Sequence, residues 1–135
     1  ADPMHANFRL YCPEELLKQP TAAVELWDYN TFSDHTFVTR LNNVRVDDKT
    51  QYRIKGDANI PRFLPDKYFL KIIHYCQTDC ATNTTSYYPI NNYKSDWRFN
   101  YWGENTWSYV ASHIRPIPID LSGGHAYDSL MDHCG

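Results

Sequence analysis

The chain lacks any apolar run approaching the roughly 18 to 20 residues of a membrane span, so no segment reads as a transmembrane helix. It also lacks a strong charge of one sign: 13 Lys and Arg against 16 Asp and Glu leave a formal net charge of −3. No global positive field draws it to nucleic acid or to anionic lipid, although a local basic face is still compatible with that balance. Glycine is scarce, at 5 residues, and no glycine-rich phosphate loop or Gly-x-Ser-x-Gly elbow occurs. The 6 histidines, His5, His35, His74, His113, His125 and His133, are scattered, with no helical His-x3-His pair. No catalytic constellation and no cofactor site follow from such a pattern, so a non-enzymatic role is expected. There is no internal repeat, low-complexity run or interdomain linker, so the 135 residues fit one domain with a modest core. No signal peptide is visible, as expected of a mature form. Ala1-Asp2-Pro3 reads as an expression remnant. The expected organisation is a flexible segment at 1–4, one domain over 5–123, and a tail over 124–135 tied down by Cys134.

What is present begins with four cysteines, Cys12, Cys76, Cys80 and Cys134. An even set in a small chain reads as two disulfides of a secreted protein. The competing reading is a metal site, but zinc ligands come in two closely spaced pairs, and here Cys12 and Cys134 sit near opposite ends. Closeness in sequence favours Cys76 with Cys80 and Cys12 with Cys134. Pairing of Cys12 with Cys76 across a sandwich is the near alternative. The sequon Asn83-Thr84-Thr85 agrees with secretion, since Asn83 on an exposed loop would accept a glycan.

The periodicity is that of strands. Tyr52 and Ile54 alternate with Gln51, Arg53 and Lys55, and Leu70 and Ile72 repeat the pattern before Cys76. Strands are predicted at 8–12, 23–29, 37–46, 50–56, 68–75 and 117–121. A bend or bulge is predicted at Asn42-Asn43, a tight turn at Asp47-Asp48-Lys49, and a helical turn after Pro13. In the second strand Val24 and Leu26 share one face, Glu25 and Trp27 the other. Pro116 and Pro118 place the last strand at a sheet edge. Short strands at regular spacing argue for an all-β sandwich or open barrel.

Four segments carry a resemblance. Leu10-Tyr11-Cys12 ends a strand, and Val24-Glu25-Leu26 follows. Tyr52-Arg53-Ile54-Lys55-Gly56 precedes a polar loop. Pro65 leads to Phe69-Leu70-Lys71-Ile72-Ile73-His74-Tyr75-Cys76, with Cys80 beyond it. This order resembles the transthyretin-like family of secreted nematode proteins, well over 8–80 and loosely over 110–122. The resemblance implies a transthyretin-type, immunoglobulin-like two-sheet sandwich of about seven to eight strands, secreted and not catalytic. The related branch that hydrolyses 5-hydroxyisourate ends in Tyr-Arg-Gly-Ser, which this chain lacks. Some relatives look like bridging proteins that recognise phosphatidylserine on dying cells, and transthyretin itself carries small hydrophobic ligands in a channel between subunits.

Residues 86–110 are longer and more aromatic than the family pattern. Tyr87, Tyr88, Tyr93, Trp97, Tyr101, Trp102 and Trp107 are interleaved with Lys94, Asp96, Arg98 and Asn100. Large rings with polar handles are the chemistry of protein recognition, so these residues are the expected partner-binding set for an extracellular or cell-surface receptor. The alternative is that half of them fill the core. Trp102 and Trp107, flanking the turn-like Gly103-Glu104-Asn105, are the expected exposed anchors. A second candidate surface is basic: Arg53 and Lys55 share a strand face, and Arg40 and Lys71 lie on neighbouring strands, where they would meet anionic lipid head groups. Acidic Asp47 and Asp48, with Asp28 or Asp34, are read as turn residues ahead of a calcium site. His74 is read as a hydrogen-bonded structural histidine. A monomer or weak dimer is expected, because the aromatic segment and the glycan site disturb the family's subunit contacts.

Overall fold

The computed structural model describes residues 4–30, 32–56, 68–76, 79–89, 99–100, 116–127 and 129–135. Strand β1 (Met4–Tyr11) is followed by a 3-10 turn (Glu14–Leu16), then β2 (Thr21–Asp28), β3 (Thr36–Arg45), β4 (Tyr52–Gly56), β5 (Tyr68–His74) and β6 (Thr84–Pro89). Short strands β7 (Phe99–Asn100), β8 (Ile117–Asp120), β9 (Ala126–Tyr127), β10 (Leu130–Met131) and β11 (His133–Cys134) complete the order. No α-helix occurs among the described residues, and none is long and apolar enough to cross a membrane.

Nine of these strands form two facing sheets, and β9 and β10 pair with each other as a separate two-stranded ribbon. In the first, β1 is central: β4 pairs antiparallel with it, β7 pairs antiparallel, and β8 runs parallel beside it from Phe8↔Ile117 to Tyr11↔Asp120. The second sheet has the order β11-β6-β5-β2-β3 and is antiparallel throughout. The alternation in sequence dictates the packing. Phe8 and Leu10 of β1, Ile54 of β4, and Ile117 and Ile119 of β8 turn inward against Val24 and Leu26 of β2 and Leu70 and Ile72 of β5. All are essentially inaccessible to solvent, and each such side chain contributes about 1.5–3 kcal/mol by burial. This is a disulfide-stapled β-sandwich.

Local signals account for the connections. Pro13 initiates the short helical turn, with Glu14 and Glu15 at its positive end. Between Ala22↔Val44 and Val24↔Leu41 the register shifts, so Asn42 and Asn43 together face Ala23. This is a bulge, and Asn43 takes φ 57°, which asparagine tolerates better than most residues. The turn after β3 is closed by the Asp47 carboxylate, which accepts from the Lys49 and Thr50 amides at 2.9 and 2.7 Å and from the Thr50 hydroxyl at 3.0 Å. These bonds hold Asp47 ionised down to about pH 2. At Gly56 an added Cβ would strike Val38 of β3, so the end of β4 closes on β3 only because glycine stands there. β8 has no described strand on the side away from β1, in keeping with Pro118 within it and Pro116 just before it.

Several expectations need correction. The first strand begins at Met4 rather than Phe8 and takes in a residue assigned to the leading segment. Residues 86–89, read as the start of the aromatic segment, belong with Thr84 and Thr85 to strand β6, because β-branched and aromatic side chains in Thr84-Thr85-Ser86-Tyr87-Tyr88 favour extended chain. The tail is more than a tether: β11 extends the five-stranded sheet at Thr84 and Thr85. The disulfides are Cys12–Cys76 and Cys80–Cys134, not the Cys76–Cys80 and Cys12–Cys134 pairs that sequence distance favours. The reason is directional. Cys76 continues the inward alternation of Leu70, Ile72 and His74, which points it at Cys12, just past the end of β1.

Candidate functional site: the outer face of the five-stranded sheet

The outward side chains of the five-stranded sheet form a belt that crosses every strand. Phe37 of β3 meets Trp27 of β2 edge to face, with centroids 5.5 Å apart. Trp27 stacks on Phe69 of β5 at 6.4 Å. Phe69 contacts Tyr87 of β6 at 6.0 Å, and Tyr87 contacts His133 of β11 at 5.8 Å. The register explains the run, since Trp27 lies opposite both Phe37 and Phe69. Beside the belt, His35 stacks on Tyr29 at 4.3 Å and sets its edge on Phe69 at 5.6 Å. The His35 ring is held by the Asn30 amide, which donates to Nδ1 at 3.0 Å. Trp27, His35, Phe69, Lys71, Tyr87 and Leu130 enclose a groove of about 110 Å³.

A charged row runs alongside. Glu25 stands opposite Arg40 and Lys71 in the two neighbouring strands. Its carboxylate is fully engaged: one oxygen accepts from Trp27 Nε1 at 2.9 Å, the other from Arg40 at 2.7 Å. The Lys71 ammonium lies 5.5 Å from the centre of the Trp27 ring, a cation–π contact, and makes no ion pair with a described acid. Burial, and next the Glu25 charge, raise the Tyr87 phenol above its ordinary value, so it keeps its proton. His133 Nδ1 lies 3.3 Å from the Cys134 carbonyl, which only accepts, so Nε2 is left to accept from the Tyr87 hydroxyl at 3.0 Å.

The expected site residues fall differently from their sequence grouping. Tyr87 lies in the belt but is only 8% exposed. Tyr88, on the opposite face of β6, packs against the core. Tyr93, Trp97, Tyr101, Trp102 and Trp107 lie outside the described residues. The four cations do not share one face. Arg40 and Lys71 are on the five-stranded sheet, whereas Arg53 and Lys55 are on β4 of the other sheet, opposite Asn7 and His5 of β1. Strand membership, invisible in the alternation itself, separates them. Asn83 is half-buried at the start of β6 rather than on an exposed loop, and Thr85 of its sequon is buried. Asp47 serves as a turn cap, and Asp28 is buried in β2. No cluster of three or more metal-binding side chains occurs among the described residues.

His74 is buried on the inward face of β5, as expected. Its Nδ1 accepts from the Cys76 amide at 3.1 Å, so Nε2 carries the proton and donates to Ser86 Oγ at 2.8 Å. Burial, and secondarily the charge of His125, lower its pKa from 6.5 to about 4. The imidazole is a neutral structural link between β5 and β6. Sequence reading missed Phe37, Phe69, His35 and His133 as site residues. The available signal was Trp27 with Glu25 on a strand face turned away from the core, since an outward tryptophan needs partners.

Compared with protein-family models, with curated protein sequences and with solved structures, the chain matches none.

Proposed function

We propose that this chain is a secreted binding protein of transthyretin-like type, which recognises a cell-surface protein through the outer face of its five-stranded sheet. The carrying observation is the five-ring belt from Phe37 to His133, with Phe37 half-exposed and Lys71 at the groove. Aromatic rings with fixed geometry and one accompanying cation are the composition of interface anchors. Because Glu25 is already neutralised, the face offers a net positive charge to an acidic partner.

Secretion is supported by the pairing of all four cysteines, which fits an oxidising compartment. The transthyretin-like reading is supported by the four segments that carry the resemblance. They fall on β1, β2, β4 and β5, and two of the cysteines involved join β1 to β5. The protein-partner reading is favoured over a lipid-bridging one because the four cations of the latter are divided between two sheets.

The test is a binding screen of the intact protein against cell-surface ectodomains, followed by Phe37→Ser and Lys71→Glu. Each change should weaken the partner found by about tenfold or more, the scale of an interface anchor, with melting temperature nearly unchanged. Full affinity in both variants would refute the face as the docking surface. Trp102→Ala with Trp107→Ala, assayed in parallel, measures what residues 86–110 add.

A further inference from the structure

The sequon and the second disulfide occupy the same few residues. Cys134 pairs with Thr84 and His133 with Thr85 in the β11–β6 ladder. The Gly135 amide donates to the Asn83 carbonyl at 2.9 Å, and the Thr85 hydroxyl donates to the Gly135 carbonyl at 3.2 Å. Thr85, whose hydroxyl defines Asn83-Thr84-Thr85 as an acceptor, is 1% exposed. Cys134 is joined to Cys80, three residues before Asn83. The closed C-terminal strand therefore covers the sequon along its length.

That closure is weakly held without the disulfide. β11 contributes only two residues to the sheet. Asn83 Oδ1, Thr84 Oγ1 and Asp132 Oδ1 are buried with no hydrogen-bond partner among the described residues. Each would regain water if the strand lifted. A cleft of about 240 Å³ lined by Asp79, Cys80, Thr84, Asp132, His133 and Cys134 lies at the same place, so opening starts from a site that is already loosely filled.

We propose that glycan transfer to Asn83 and closure of Cys80–Cys134 compete, so that the order of the two reactions sets whether the mature protein carries a glycan. In the first reaction the Asn83 amide nitrogen bonds to the anomeric carbon of a polyprenyl-pyrophosphate-linked oligosaccharide. The pyrophosphate leaves with the bonding pair, and the amide loses one proton. In the second, the Cys80 and Cys134 thiols lose two protons and two electrons to a protein disulfide, which is reduced to a dithiol. Transfer needs the sequon extended and uncovered. Oxidation locks it against β11.

Two experiments test this in an imposed compartment, so neither depends on the function proposed above. Expression of the wild type, Cys80→Ser and Cys134→Ser in secretory eukaryotic cells, followed by glycosidase digestion and mass analysis, should show Asn83 occupancy rising severalfold in both variants. In vitro, unglycosylated full-length protein is offered to oligosaccharyltransferase with lipid-linked donor. Native oxidised protein should react about tenfold or more slowly than reduced, alkylated protein. Full occupancy in the wild type, or equal rates for the oxidised and reduced chains, would overturn the proposal.

Discussion

The buried imidazole of His74 gives the sharpest prediction about stability. Its two nitrogens are fixed by Cys76 and Ser86, and its folded-state pKa is about 4 against an ordinary 6.5. The unfolded chain therefore binds a proton that the folded chain refuses. Stability from this group is complete above about pH 6.5, declines as pH falls, and levels off below about 4. At about 1.4 kcal/mol per pH unit the window corresponds to a loss of about 3 kcal/mol, a large part of a domain's usual margin of 5–15, roughly speaking. Other histidines and carboxylates also titrate, so the assay must isolate the one group. Urea unfolding of the wild type and of His74→Gln at pH 7, 6, 5 and 4 does so. Glutamine does not titrate, and its amide reaches toward Ser86. At pH 7 the variant should be less stable, because the Cys76 amide loses its acceptor, at about 1–3 kcal/mol. As pH falls to 4 the two curves should converge, or cross. Parallel curves over that range would show that His74 binds its proton equally in both states, and the burial argument would fail.

Other substitutions probe the remaining devices. Gly56→Ala forces Val38 to move and should cost about 1–3 kcal/mol in denaturant titration; an unchanged midpoint would mean the two strands separate freely. Asp47→Ala should lower the melting temperature at pH 7, and the difference from wild type should shrink as pH falls from about 4 toward 2, where the carboxylate protonates. The disulfides Cys12–Cys76 and Cys80–Cys134 close successive loops that share no residues, with sequence separations of 64 and 54. Removing either pair should cost up to about 4 kcal/mol by loop entropy, and the two losses should add; strong non-additivity would expose coupling through the core. Under limiting reductant, Cys80–Cys134 should open first, since Cys134 is exposed and Cys76 is fully buried, as differential alkylation with peptide mapping would report.

The sequence disclosed the sandwich through local rules, and it concealed the site through non-local ones. Val24 and Leu26 against Glu25 and Trp27 gave the two faces of β2, and Leu70 and Ile72 gave those of β5. The bulge at Asn42-Asn43 and the cap at Asp47 were legible because asparagine and aspartate carry their own backbone chemistry. Which strands lie side by side depends on contacts between residues far apart in the chain, and alternation is silent on that. Arg40 and Arg53 look equivalent along the sequence, yet they decorate opposite sheets. Cys76 and Cys80 look paired by distance, yet Cys76 points inward with Leu70 and Ile72. The belt shows the same limit most plainly. Phe37, Trp27, Phe69, Tyr87 and His133 come from five strands spread over most of the chain, and nothing in the local sequence of any one of them points to the others. Only the order β3-β2-β5-β6-β11 sets them edge to edge. A recognition surface written across a sheet in this way is a property of topology, so the dense aromatic run at 86–110 drew attention that the rings spread over β3, β2, β5 and β11 warrant at least as much.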